Sequence, residues 1–320
     1  MSKRTRYINS CQVLDAKEYT LQGYPQKVFY EGRHRESPVI LYLHGGPGSP
    51  VPFCAGSRGL FPEVTERFIM VYWDQLGCGI NDHVIDDSFS VDDYVSMTVD
   101  LLYAIREDFP ENKINLFGVS WGSILAARAA EKVPELINKA AVYGQVTKNL
   151  FFNSEVLEAL NAAAISGKHK ALLKELASRR EHGTKDIKDM AGLIRRYTEG
   201  YQAKGGGKTP MAKILWGLLT SPDYSFKNFM SVAVNGTTKN NSLYKEIVSL
   251  DITDVLARVK IPYLILQGET DIVTSTKFIR DFVNTAANGN LTLSVLPRSG
   301  HMPGGDAMKK IIESGFSFFL

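Results

Sequence analysis

The chain has little cysteine, no long apolar run and no excess of either charge, and each shortage removes a class of protein. Its three cysteines, Cys11, Cys54 and Cys78, stand far apart with no C-x-x-C and no histidine pair at metal-ligand spacing, which excludes a disulfide framework and a structural zinc. No apolar stretch approaches the roughly 18 residues that span a bilayer. The opening MSKRTRYINSCQVLDAK passes from basic to polar residues without the apolar core of a signal peptide. The expectation is a soluble, cytoplasmic protein with no membrane partner. Lys and Arg number 37 against 34 Asp and Glu, a net charge of +3 that is too slight to recruit nucleic acid or an anionic surface by bulk electrostatics. There is no internal repeat and no low-complexity tract, and 320 residues at 44% hydrophobic suffice for one large core with an insertion.

What is present is an alternation of two periods. Short runs rich in Val, Ile, Tyr and Leu occur at Gln26–Phe29, Val39–Leu43, Phe68–Trp73, Lys113–Phe117, Ile137–Tyr143, Ile261–Leu266 and Leu291–Leu296, which is strand composition. Between them lie helical spacings at Ser90–Phe109, Trp121–Lys132, about 275–283 and Asp306–Phe318. Strands that alternate with helices predict an α/β protein with a mostly parallel central sheet flanked by helices. The alternation lapses from residue 148 to 250, where the sequence is helical and polar and carries 16 Lys and Arg against 9 Asp and Glu. The expected organisation is a core from 1–147 and 251–320 with an inserted helical cap at 148–250. The basic surplus reads either as a solvated helical surface or as a rim that attracts acidic substrates.

The chemistry sits where strands end. Gly118-Val119-Ser120-Trp121-Gly122 is a G-x-S-x-G between an expected strand and an expected helix, the context of a nucleophile elbow. A serine hydroxyl needs a general base, and the base needs a group that fixes its tautomer. His301 follows the last strand, whereas His34, His169 and His182 fall in polar stretches and His83 trails the Asp74 loop. Asp271 follows the strand ending at Leu266, with Glu269 as its rival in the same loop. The expected triad is Ser120, Asp271 and His301. Trp121 N–H and Gly46 N–H are the expected oxyanion donors, with Gly45 as substrate-binding backbone and fallback donor, because the Gly-rich His44–Gly48 follows an early strand. Cys78, in the Gly77-Cys78-Gly79 turn, reads as a buried inert thiol.

HGGPG at His44–Gly48, WDQ-x-GCG at Trp73–Gly79, GVSWGS at Gly118–Ser123, G-x-x-D at Gly268–Asp271 and SGH at Ser299–His301 together resemble the prolyl aminopeptidases (proline iminopeptidases) of the α/β-hydrolase fold. The resemblance spans about residues 39–301. It implies an α/β-hydrolase fold and release of an unblocked amino-terminal residue, often proline, from short peptides, with no metal and no cofactor. Such a family holds the substrate ammonium with cap glutamates, for which Glu155 and Glu246 are the candidates, beside Glu158 and Glu199. The chain departs from the family in having Leu76 for a common Arg and Val119 for Gly or His. The leading expectation is therefore a serine hydrolase acting as an aminopeptidase through an acyl-enzyme on Ser120. The alternative is a carboxylesterase or lipase-like hydrolase of small acyl esters with the same triad, and a noncatalytic binding protein on this fold is the reading from another class.

Overall fold

A computed structural model of the chain describes residues 2–207, 211–232 and 240–320. Its eight strands are Ala16–Leu21 (β1), Tyr24–Glu31 (β2), Val39–Leu43 (β3), Ile69–Tyr72 (β4), Ile114–Val119 (β5), Lys139–Tyr143 (β6), Tyr263–Gly268 (β7) and Leu291–Leu296 (β8). They form one sheet in the order β1-β2-β4-β3-β5-β6-β7-β8. β1, β2 and β4 pair antiparallel, and every pair from β4 to β8 is parallel. The central strands β3 and β4 are buried at every residue, which explains their unbroken apolar runs, VILYL and IMVY. β1 lies outside the strands expected from sequence. Its AKEYTL places charged residues on an exposed edge, and it joins β2 through Gln22 and Gly23, both at positive φ, as a two-residue hairpin turn requires.

Two apolar layers flank the sheet. On one face, Leu41, Val71, Leu116 and Ile265 pack against helices Val91–Asp108 and Trp121–Lys132. Ser90 starts the first of these with a capping box to Asp93, which satisfies amide donors that the first turn leaves open. On the other face, Tyr42, Phe117, Tyr143 and Leu266 meet Ile311, Phe316 and Phe319 at the carboxyl end of the chain.

Between β6 and β7 lie the helices Ser154–Ala162, Gly167–Ser178, Thr184–Tyr197, Met211–Leu219, Phe226–Met230 and Asn241–Ser249. Parts of the helical segment expected at 148–250, namely 208–210 and 233–239, lie outside the described residues. Its ends meet: Lys148 and Asp251 form an isolated antiparallel bridge, and Ile252 N–H donates to Thr147 C=O at 2.9 Å. The segment leaves and rejoins the core at one place, so its helices can change without altering sheet register.

At its first turn the helix after β5 comes against the sheet backbone to backbone. A Cβ at Gly122 would lie 1.9 Å from the Leu43 carbonyl oxygen, and one at Gly118 would lie 2.7 Å from the Gly122 oxygen. Gly122→Ala is expected to cost about 3 kcal/mol or more, since only backbone could move to admit the methyl. Gly192, on the exposed side of helix Thr184–Tyr197 with nothing within 4 Å, is the control. Gly192→Ala should stabilise by about 0.5–1 kcal/mol in urea unfolding, and equal effects at the two sites would disprove the close-approach argument.

Candidate active site

Ser120 stands between β5 and helix Trp121–Lys132 at φ 49° and ψ −115°, a left-handed conformation that few side chains adopt. Two contacts hold it there: the approach of Gly122 to Leu43, and a 2.8 Å hydrogen bond from Ser120 N–H to the Tyr143 carbonyl on the neighbouring strand. The turn aims Ser120 Oγ at His301, 3.0 Å from Nε2. His301 Nδ1 lies 2.9 Å from Asp271 Oδ2. The structure therefore brings together the three residues expected from three separate strand ends.

Asp271 is fully buried, so its charge depends on fixed donors. Oδ1 accepts from the backbone N–H of Val273 at 2.9 Å and of Thr274 at 3.1 Å. Oδ2 accepts from Thr274 Oγ1 at 2.8 Å as well as facing the imidazole. The rival Glu269 is exposed and turns instead to the Arg298 N–H at 3.0 Å. The loop bearing His301 is fastened to the inserted segment: His301 N–H donates to Gly200 C=O at 3.0 Å, and Met302 N–H to Tyr201 C=O at 2.7 Å. Phe151 and Tyr201 set their rings against the imidazole, with centroids at 6.4 and 6.1 Å.

The glycine loop lies beside the elbow. A Cβ on Gly45 would sit 3.3 Å from the Val119 carbonyl oxygen and 3.6 Å from Ser120 Cβ, and both Gly45 and Gly46 line the cavity above Ser120. Trp121 is the first residue of its helix, so its N–H has no partner within that helix.

His44, which sequence reasoning took only as the start of the glycine loop, organises this region. Gln75 N–H donates to His44 Nε2 at 3.0 Å, which leaves Nδ1 to carry the hydrogen and donate it to Gly45 C=O at 2.9 Å. Gln75 Oε1 accepts from the Trp121 indole at 2.8 Å. One buried chain of bonds thus joins the glycine loop to the residue after the serine. Cys78 is buried near His44, and burial pushes its thiol well above the ordinary range, as an inert cysteine requires. Asp74, also buried, accepts from Ala55 N–H, Ile80 N–H and the Tyr224 hydroxyl, fixing the loop after β4 to the inserted segment.

A cavity of about 240 Å³ opens on Ser120 and His301. Among the described residues, none lining it apart from His301 is an acid or a base other than tyrosine. The glutamates expected to bind substrate are elsewhere. Glu155 accepts from the Ser275 hydroxyl at 2.5 Å, and Glu246 accepts from Val91 N–H at 2.9 Å at the start of helix Val91–Asp108. Glu199 pairs with Lys204, Glu158 is exposed, and none of the four lines the cavity. Their place in the helical segment made them candidates through the resemblance, but the sequence does not say which neighbour each meets. His83 packs on Tyr24 at the surface, away from Ser120.

An eight-stranded sheet in this order, with a strained serine after β5 facing a histidine after β8, is the α/β-hydrolase fold, and the chain is an enzyme on that fold. The model of the alpha/beta hydrolase fold matches residues 38–166. Among curated proteins the chain is similar to the probable aminopeptidase YbaC of Bacillus subtilis (strain 168), 24% identical over 272 residues that cover 83% of this chain and 84% of that one. It is also similar to the proline iminopeptidase of Lactobacillus acidophilus, 26% identical over 261 residues, 79% of this chain and 80% of that one. Among solved structures it superposes on VinJ with a TM-score of 0.67 at 18% identity, covering 95% of this chain and 97% of that one, a likeness of fold. The resemblance to prolyl aminopeptidases read from the motifs therefore holds along most of the chain.

Burial lowers the His44 imidazole from its ordinary value near 6.5 to about 4. Between those values the unfolded chain binds the extra proton, so stability rises with pH there. The contribution is complete above about pH 6.5 and is lost as pH falls through 4, an effect of about 3 kcal/mol. Urea midpoints should drop between pH 7 and 4.5, and His44→Asn should remove much of that slope. An unchanged slope in the variant would show that His44 is not held neutral.

Proposed function

We propose that the chain is a serine hydrolase that accepts an uncharged, apolar acyl group on Ser120 and passes it to water. The observation that carries this reading is the continuous Ser120–His301–Asp271 contact opening on a cavity that, among the described residues, no Asp, Glu, Lys or Arg lines. In the proposed reaction, His301 Nε2 takes the Ser120 proton as Oγ attacks the substrate carbonyl, and Asp271 steadies the imidazolium without taking its proton. The oxyanion is met by Trp121 N–H and Gly46 N–H, with Gly45 beside them. The leaving alcohol or amine departs with the proton from His301. Water, deprotonated by the same imidazole, then cleaves the acyl-enzyme and restores the serine. No cofactor takes part in these steps.

The segment 148–250 acts in this reading as a cap. Phe151, Tyr201, Met211 and Ile214 all line the cavity, so the insert roofs it and limits entry to small esters, amides or short peptides. The cytoplasm is the proposed location. Among the described residues no helix is long and apolar enough to cross a membrane.

A second reading, release of an amino-terminal proline or small residue from peptides, is supported by what the curated relatives are named. It requires a partner for the substrate ammonium, because a buried unpaired cation is expensive. No acidic side chain among the described residues lines the cavity, and residues 208–210 and 233–239 contain no Asp or Glu.

One panel separates the two: kcat/KM for p-nitrophenyl acetate and butyrate, for prolyl and alanyl arylamides, and for the N-acetylated arylamides. The expected result is that the butyrate exceeds the free-amine arylamides. Cleavage of the arylamides that disappears on acetylation would instead establish the aminopeptidase. On the preferred substrate, Ser120→Ala should abolish turnover and fluorophosphonate labelling, and Asp271→Asn should lower kcat by about 10⁴. Near-native turnover in either variant would refute the triad.

A further inference from the structure

The cavity has a direction. Val119 and Phe117 are two residues apart on β5, so both face the same side of the sheet, the side covered by helix Gly305–Phe318. In register, Tyr42 on β3 stands opposite Phe117, and Tyr143 on β6 stands opposite Val119. All four line the cavity with Ile311 and Ile312 from that helix. The space therefore runs from Ser120 back along β5 into the apolar layer. Its two tyrosines do not make it polar: the Tyr42 hydroxyl donates to Val51 C=O at 3.2 Å, and that of Tyr143 bonds Ser299 Oγ and Gly300 C=O. Behind Phe117 the core is closed, since the Phe316 ring packs at 5.3 Å and a Cβ on Gly315 would lie 2.8 Å from the Phe117 ring.

From Ser120 to Phe117 is three residues of strand, about 10 Å at about 3.3 Å each. A zigzag of carbon–carbon bonds of about 1.5 Å fills that depth with about six to eight carbons. We propose that this cavity is an acyl-chain slot selecting unbranched acyl groups of about six to eight carbons, with Phe117 as its floor and Ile311 and Ile312 as its side wall. The inference rests on the serine-hydrolase reading and adds the acyl class. A prolyl or alanyl group is too short to reach Phe117, so most of the slot would gain nothing from it.

The test is the kcat/KM of the whole chain on p-nitrophenyl esters from acetate to dodecanoate, each below its micelle concentration, with Ser120→Ala as the blank. Each methylene buried should raise kcat/KM by about fourfold, up to six to eight carbons, and dodecanoate should fall back. Ile312 is only partly buried, so Ile312→Phe is expected to fold, and it should lower the octanoate-to-acetate ratio at least tenfold by narrowing the slot. Rates of Ser120 labelling by alkyl phosphonofluoridates of the same lengths give the wild-type profile without any variant. A flat profile with Ser120-dependent turnover overturns the slot and leaves the hydrolase reading standing, as does an octanoate-to-acetate ratio unchanged in Ile312→Phe. Absence of any Ser120-dependent turnover or labelling overturns both.

Discussion

The approach of Gly122 to the Leu43 carbonyl is the contact on which the rest of the site depends. It brings the helix after β5 against the backbone of β3, and the chain can enter that helix so close to the sheet only by turning sharply at Ser120. The strained φ is the geometric result, and strain of this kind persists only where its surroundings over-determine it. Here the 2.8 Å bond from Ser120 N–H to Tyr143 supplies the second fixed point. Ser120 thus stands on backbone contacts among three adjacent strands, which no side-chain rearrangement can loosen.

The same approach couples the serine to the glycine loop, because β3 runs directly from Leu43 into His44. Neutral His44 ties Gly45 to Gln75, and Gln75 ties back to the Trp121 indole. Donors for an oxyanion are effective when they are held in place before charge develops. In this chain the two candidate donors belong to different loops, and the buried imidazole is what makes their separation a fixed distance. A charged His44 could not accept from Gln75 N–H, so burial, by depressing the imidazole toward 4, keeps the linkage intact through the neutral range.

Much of this was legible in the sequence, and what was not has a common cause. Ser120, Asp271 and His301 could be found because each follows a recognisable strand, and in a parallel sheet the strand ends converge whatever the details of packing. The central strands β3 and β4 were legible because they are buried on both faces and hence continuously apolar. β1 was missed because an edge strand with one solvated face mixes Lys, Glu and Thr with its apolar residues. His44 is not conspicuous in the sequence because the glycines beside it explain the loop by themselves, whereas its role comes from Gln75, 31 residues away. Glu155 and Glu246 stand out in the sequence only by their charge in the insert, whereas the partners that claim them, Ser275 and Val91, are set by how the insert rejoins the core.

That last point bears on what the cavity can hold. The insert contains nine acidic residues, and almost all are engaged on its own surface or at its seams: Glu175 and Asp186 with Arg179, Glu181 with Lys245, Asp189 with Lys185, Glu199 with Lys204, Asp223 with Arg58, and Glu155 and Glu246 as above. The exposed pairs among these contribute little stability individually, and the largely buried Arg58–Asp223 pair does not line the cavity, so they are not what keeps carboxylates out of the site. The inward residues are, because Phe151, Tyr201, Met211 and Ile214 occupy the positions from which the insert faces Ser120. A carboxylate placed among them would lose its water and find no donor, and it would be driven toward the neutral acid. Among the described residues that wall carries no carboxylate for a substrate cation, so on the reading proposed above the choice between acyl and aminoacyl substrates follows from the packing of the insert more than from the Ser120, His301 and Asp271 contacts beneath it.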